Sequence, residues 1–110
     1  MIFYTDRFIP AEHQACTRGP LIFIRPEYKG DKGLIEHEKV HRKQFFRTFG
    51  LHGLFYLLSK KYRLQAEVEA FKEQSKHYAD DKSEVFANLL STNYNLDITK
   101  EEALTLLRKE

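Results

Sequence analysis

The chain carries one cysteine, Cys16, and so cannot brace itself with an internal disulfide. A disulfide scaffold is excluded, and a reducing compartment is the expected setting. Tryptophan is absent, and the last of only three prolines is Pro26, so no proline interrupts a helix beyond that point. The longest apolar run, at residues 49–58, is broken by Gly50, His52 and Gly53 and falls far short of the roughly 20 residues of a membrane span. The N-terminus lacks the basic stretch and apolar segment of a secretory signal. A cytoplasmic location is therefore expected, for a cellular chain or for one encoded by a virus or mobile element. Eighteen basic against 16 acidic residues leave a net charge of +2, too small to imply a nucleic-acid partner by itself.

What is present describes one globular domain over residues 1–110. Apolar residues make up 42% and charged residues 31%, which suits a modest buried core. The first third reads as β and turn. A short run covers residues 2–5, and a stronger one, Leu21, Ile22, Phe23, Ile24 and Arg25, sits between Gly19-Pro20 and Pro26. Residues 15–18 are placed to pair with it as a hairpin, and residues 26–33 read as a loop. The remainder is helical: residues 33–49, with Gly50 as the stop signal; 60–77, with Leu64, Val68 and Phe71 inward; and about 82–91. A last helix is announced by Thr99 and Glu102, which have capping-box spacing. The expected class is α+β, a small antiparallel sheet packed on helices.

His37-Glu38-Lys39-Val40-His41 matches H-E-x-x-H. Residues four apart on a helix share a face, with Cβ atoms about 5–6 Å apart, so both imidazoles can reach one tetrahedral zinc. Glu38 is displaced by one residue and leans over the metal's open side, where a general base takes a proton from metal-bound water. Composition alone yields such a pattern in roughly one chain in fifty, so context matters. Here the match falls within a predicted helix, on the stripe of Leu34 and Phe45 that faces the core. The bland alternative is two core histidines satisfied by hydrogen bonds.

A catalytic zinc site needs a third protein ligand and one open position. His52 and His77 stand alone, whereas the second helix offers Glu67 and Glu69. Glu67 falls on the inward stripe, where a carboxylate is costly unless paired or bound to metal. Glu69 points elsewhere, toward solvent, and remains the alternative. A plain ion pair of Glu67 with Arg63 is the competing structural reading.

HEKVH followed by Glu67-Val68-Glu69-Ala70 on the next helix resembles the gluzincin metallopeptidases. The short length is similar to the minigluzincins, and the resemblance covers about residues 15 to 78. It implies a zincin-like fold, with a small sheet on an active-site helix and a glutamate helix. It further implies zinc held by His37, His41 and Glu67, and Glu38 as base. The run Leu21, Ile22, Phe23, Ile24, Arg25 is implied as the edge strand along which an extended peptide or protein substrate would lie. Two departures stand out. Many gluzincins carry an aspartate four residues after the ligand glutamate, bonded to a zinc histidine; here Phe71 occupies that position. No motif singles out an oxyanion stabiliser among Tyr62, Tyr78, His52 and Arg63.

Two non-enzymatic readings compete with the hydrolase. One is a catalytically inactive interaction domain stapled by zinc. The other rests on residues 39–66, which hold seven basic residues and no acidic one, interleaved with Phe45, Phe46, Phe49, Phe55, Tyr56 and Tyr62. That segment is either a surface for nucleic acid or an anionic membrane, or a solvated basic face over core aromatics; the latter is expected. Cys16 is expected to be a small buried hydrophobe, although a thiolate could in principle cap the metal.

Overall fold

The computed structural model describes residues 1–109. Three strands precede five α-helices: β1 (Ile2–Tyr4), β2 (Ala15–Arg18), β3 (Leu21–Ile24), then α1 (Lys32–Arg47), α2 (His52–Leu58), α3 (Lys60–Ser75), α4 (Ser83–Thr92) and α5 (Lys100–Arg108). The class is α+β, but the sheet is mixed and not antiparallel. β2 pairs antiparallel with β3, while β1 pairs parallel with β3, in the order β1-β3-β2. The chain reverses at β2 and again at β3, so β1 and β3 run the same way. None of the described helices is long and apolar enough to cross a membrane.

This order corrects the expectation that Leu21, Ile22, Phe23, Ile24 and Arg25 form an edge. β3 is the central strand, its main chain engaged on both sides. Ile22 and Ile24 are buried under α1, and Phe23 stacks on Phe3. Arg25 turns its guanidinium to the carbonyls of His13 and Pro10, at 2.8 and 3.0 Å, and to Asp6. The edges are β1 and β2, each paired on one side alone, and Thr17 lies on the β2 edge.

Local chemistry accounts for the helices. Asp31 caps α1 by accepting from the Leu34 N–H at 3.0 Å, Ser59 caps α3, and the Thr99–Glu102 capping box opens α5. α1 stops where Phe49 and Gly50 both enter the left-handed region, with the Gly50 N–H returning to the Phe45 carbonyl at 2.8 Å. α2 was not anticipated; its two glycine-flanked turns read from sequence as an interrupted apolar run. The inward face of α3 also differs from the predicted Leu64–Val68 stripe. It buries Arg63, Ala66, Glu67, Ala70, Phe71 and Gln74, while Leu64 and Val68 are half-buried.

The apolar core has two parts. Ala15, Ile22, Ile24 and Leu34 join the sheet to α1, and Phe71, Phe86, Ala87, Leu90, Leu96 and Ala103 join α3 to α4 and α5. Between them lies a buried polar layer, crossed by Phe71, which stacks on Phe86 and meets His37 edge-on. The ends of α1 and α3 are pinned by Tyr78, whose hydroxyl donates to Asp31 at 2.7 Å and accepts from Gln74 at 2.9 Å. A Cβ on Gly33 would lie 2.7–2.9 Å from that ring. Gly33→Ala is therefore expected to lower unfolding stability by about 1–3 kcal/mol through overpacking. Gly53→Ala, in α2 with nothing within 4 Å, should be neutral or gain about 0.5–1 kcal/mol. Denaturant titration of the two variants measures the contrast.

Candidate metal centre

α1 and α3 lie side by side and bring three donor atoms together. His37 Nε2, His41 Nε2 and Glu67 Oε1 are each 3.2 Å from the other two. Bonds of 2.0–2.1 Å arranged tetrahedrally separate ligand atoms by about 3.3 Å, so the triangle has the dimensions of one face of such a site. The three side chains are buried, Glu67 to 2% exposure, and they form a group able to hold a metal ion. Without an ion, both Nε2–H groups can donate to Glu67 Oε1. With one, the same three atoms offer their lone pairs to a single point, and the size of the triangle favours that arrangement.

Each member is set by its own neighbours. Gln44 donates through Nε2 to the Ala66 carbonyl and to Glu69, at 3.1 and 3.0 Å. Its Oε1 is thereby left to accept from His41 Nδ1 at 2.9 Å, which directs Nε2 of that ring to the cluster. Tyr56, from α2, donates to the second oxygen of Glu67 at 2.5 Å. His37 Nδ1 is buried without a hydrogen-bond partner among the described residues, and the Phe71 ring lies 4.5 Å from the imidazole. One histidine thus has its polar support from Gln44, three residues along α1, and the other has an aromatic edge.

The charge balance follows from burial. Burial by itself disfavours charge on His41 and Glu67, but each outweighs that cost for the other. His41 is raised from 6.5 to about 10, and Glu67 is held well below the usual carboxylate range. Burial, Glu67 and the hydrogen bond to it push the Tyr56 hydroxyl far up, so it stays a donor.

Glu38 is buried beside the triangle without belonging to it. Its Oε2 is 3.9 Å from His37 Nε2, and its Oε1 accepts from the Thr17 hydroxyl of β2 at 2.8 Å. Beside these groups runs a cleft of about 1020 Å³, walled by β2, α2 and α4. It is lined by Thr17, Glu38, His52, Tyr56 and Phe86 among others, and by none of residues 21–25.

The remaining sequence candidates separate clearly. Glu69 is exposed and bound to Arg47 and Gln44. Arg63 does not pair with Glu67; it donates to the carbonyls of Tyr56, Tyr94 and Asn95 at 2.7–2.9 Å. Tyr78 is committed to Asp31. Tyr62 stands behind His52, its hydroxyl 2.7 Å from His52 Nδ1, and His52 lines the cleft. Cys16 is half-buried, donates to the Phe8 carbonyl at 3.0 Å and is not part of the metal-capable group. Tyr56, Gln44 and Thr17 escaped the sequence reading. Only Gln44 and Tyr56 left a trace, at helical spacing from His41 and His52.

No protein-family profile matches the chain, and searches of curated proteins and of solved structures return no match either.

Because His41 holds a proton until about pH 10, a metal ion seated on Nε2 must displace it. The ion pair stabilises the metal-free fold fully between about pH 4.5 and 6.5; it is lost as pH rises through about 10, and again in strong acid as Glu67 protonates. Metal affinity should do the reverse, rising about tenfold per pH unit across neutrality. Calorimetric zinc titrations in two buffers of different ionisation enthalpy should register one proton released per ion, and none in His41→Ala.

Proposed function

We propose that this chain is a zinc-dependent hydrolase of peptide bonds, a gluzincin-like metallopeptidase. The observation that carries the reading is the 3.2 Å triangle of two imidazole nitrogens and a carboxylate oxygen, with a separate carboxylate 3.9 Å away on a cleft. His37, His41 and Glu67 hold the ion, and zinc is the metal that best suits two histidines and one carboxylate. When bound, zinc supplies Lewis acidity toward water and toward a carbonyl.

The protein's own groups do the rest. The Thr17 hydroxyl occupies Oε1 of Glu38 and leaves Oε2 as the basic atom facing the cluster. Glu38 accepts a proton there and passes it to the leaving amine, as general base and then general acid. Burial lowers the pKa of His52, so its imidazole is neutral at pH 7. In the tautomer whose Nδ1 accepts from the Tyr62 hydroxyl, Nε2 of His52 carries the hydrogen and serves as a donor to a negatively charged oxygen in the cleft. An extended substrate is placed along the edge of β2, whose residues Ala15, Cys16, Thr17 and Arg18 line the cleft, and not along the central β3, so the β-addition mode is kept with a different strand.

One zinc per chain is expected by elemental analysis, lost in His41→Ala and weakened in Glu67→Ala. Glu38→Gln should abolish cleavage of a mixed peptide library while keeping zinc. His52→Ala should lower kcat by about 10²–10³ with little change in KM. A wild-type protein that holds zinc and cleaves no peptide would leave the ion as a staple between α1 and α3, and would end the hydrolase reading.

A further inference from the structure

Helix α2 is amphipathic in the reverse of the usual sense. Its polar side chains, His52 and Tyr56, lie one turn apart and turn inward, Tyr56 to Glu67 and His52 to Tyr62. Helical periodicity puts Leu54, Leu57 and Leu58 on the opposite arc, with Leu51 just before them. Not one residue of α2 is buried, and Leu57 and Leu58 are each 74% exposed. Phe46 in the last turn of α1 and Phe49, three residues before α2, are exposed as well, Phe49 to 96%. The aromatics at these positions are therefore not core, contrary to the expectation from sequence. Contiguous apolar surface of this kind marks a contact site.

The face is firmly mounted. Arg63 donates to the carbonyls of Tyr56 and Leu57 at 2.7 and 3.4 Å, and Tyr56 is tied to Glu67. Phe49 has φ 54, a left-handed conformation unfavourable for a bulky residue, and the closure of α1 holds it there with its ring in solvent. A floppy terminus exposes leucines by default; a braced helix with its polar side inward does not.

Charge selects the occupant. Lys43 lies one turn before Phe46 on α1, Arg47 follows Phe46, and Lys60 and Lys61 follow Leu58 by two and three residues. Arg47 and Lys60 are paired with Glu69 and Asp97, while Lys43 and Lys61 have no acidic partner among the described residues. Leucines flanked by cations match the acyl boundary and anionic headgroups of a bilayer. A nucleic acid offers nothing to the leucines, and a second copy would set like charges against each other.

We propose that Phe49 and the outward face of α2 dock on an anionic lipid bilayer, with Lys43 and Lys61 against the headgroups. Gly53, Leu57 and Leu58 also line the cleft, so its mouth lies beside the lipid surface. The test is co-sedimentation with vesicles of phosphatidylcholine, and of phosphatidylcholine with phosphatidylglycerol in equal parts, at about 0.15 M salt. Binding to the mixed vesicles should be at least about tenfold tighter than to the neutral ones. Phe49→Asp with Leu58→Asp should abolish it, and Lys43→Glu with Lys61→Glu should weaken it roughly tenfold on mixed vesicles only. All four positions are exposed, and melting curves verify that the variants fold. Equal binding to both vesicle types, or none, overturns the proposal. So does a dimer dissociated by Leu58→Asp, or retention of an RNA oligonucleotide, without vesicle binding. Vesicle binding should be the same with and without chelator, so this outcome is independent of whether the chain is a hydrolase.

Discussion

A carboxylate held in the interior between two imidazoles is the interaction on which the rest depends. Removing Glu67 from water costs several kcal/mol unless charge and hydrogen bonds meet it there. His37 and His41 from α1 and Tyr56 from α2 supply them, so these two helices must converge on the middle of α3. Breaking such a buried pair by removing one partner typically costs about 3–5 kcal/mol, which gives α1 and α3 one register and not several. The apolar core is split as a consequence. The sheet packs on one side of the polar layer and α4 with α5 on the other, and Phe71 links them.

The same layer explains why α2 faces the wrong way for a soluble helix. Its His52 and Tyr56 are drawn inward by Tyr62 and Glu67, and its leucines are left outside. The catalytic proposal and the membrane proposal thus share one physical root. A polar interior needs polar side chains from a short helix, and the apolar remainder of that helix needs another apolar medium. Metal binding would tighten the centre further, since it replaces a proton shared by His41 and Glu67 with an ion bonded to both.

Much of the site was legible because helical spacing is local. His37, Glu38 and His41 sit within five residues, and an i,i+4 pair shares a face whatever the rest of the chain does. Glu67 was legible for a different reason: a carboxylate at an inward position must have a partner. The expected Leu64, Val68 and Phe71 stripe holds in part: Phe71 is buried, while α3 turns its Arg63–Glu67–Gln74 side inward and leaves Leu64 and Val68 partly buried at the flank of the core. α2 was hidden by Gly53, which read as a break in an apolar run although it lies within a helix, while Gly50 closes α1 as expected. Gln44 and Thr17 carry no signature, since an amide or hydroxyl becomes a support only through what folds against it.

From its residues alone the chain determines four of its five helices and the Thr99–Glu102 cap that opens α5. It also determines the H-E-x-x-H pair on one face of α1, because capping and periodicity act over a few residues. Strand order is another matter. Leu21, Ile22, Phe23 and Ile24 are the strongest β-formers, and that strength puts them in the centre of the sheet, with the more polar Thr17 and Arg18 at the edge. The central place of β3, the 3.2 Å convergence of three donors, the Thr17 support of Glu38 and the outward leucines of α2 were decided only by tertiary structure. Each depends on contacts between residues far apart in sequence, and such contacts exist only when burial of Glu67 has fixed how the helices meet.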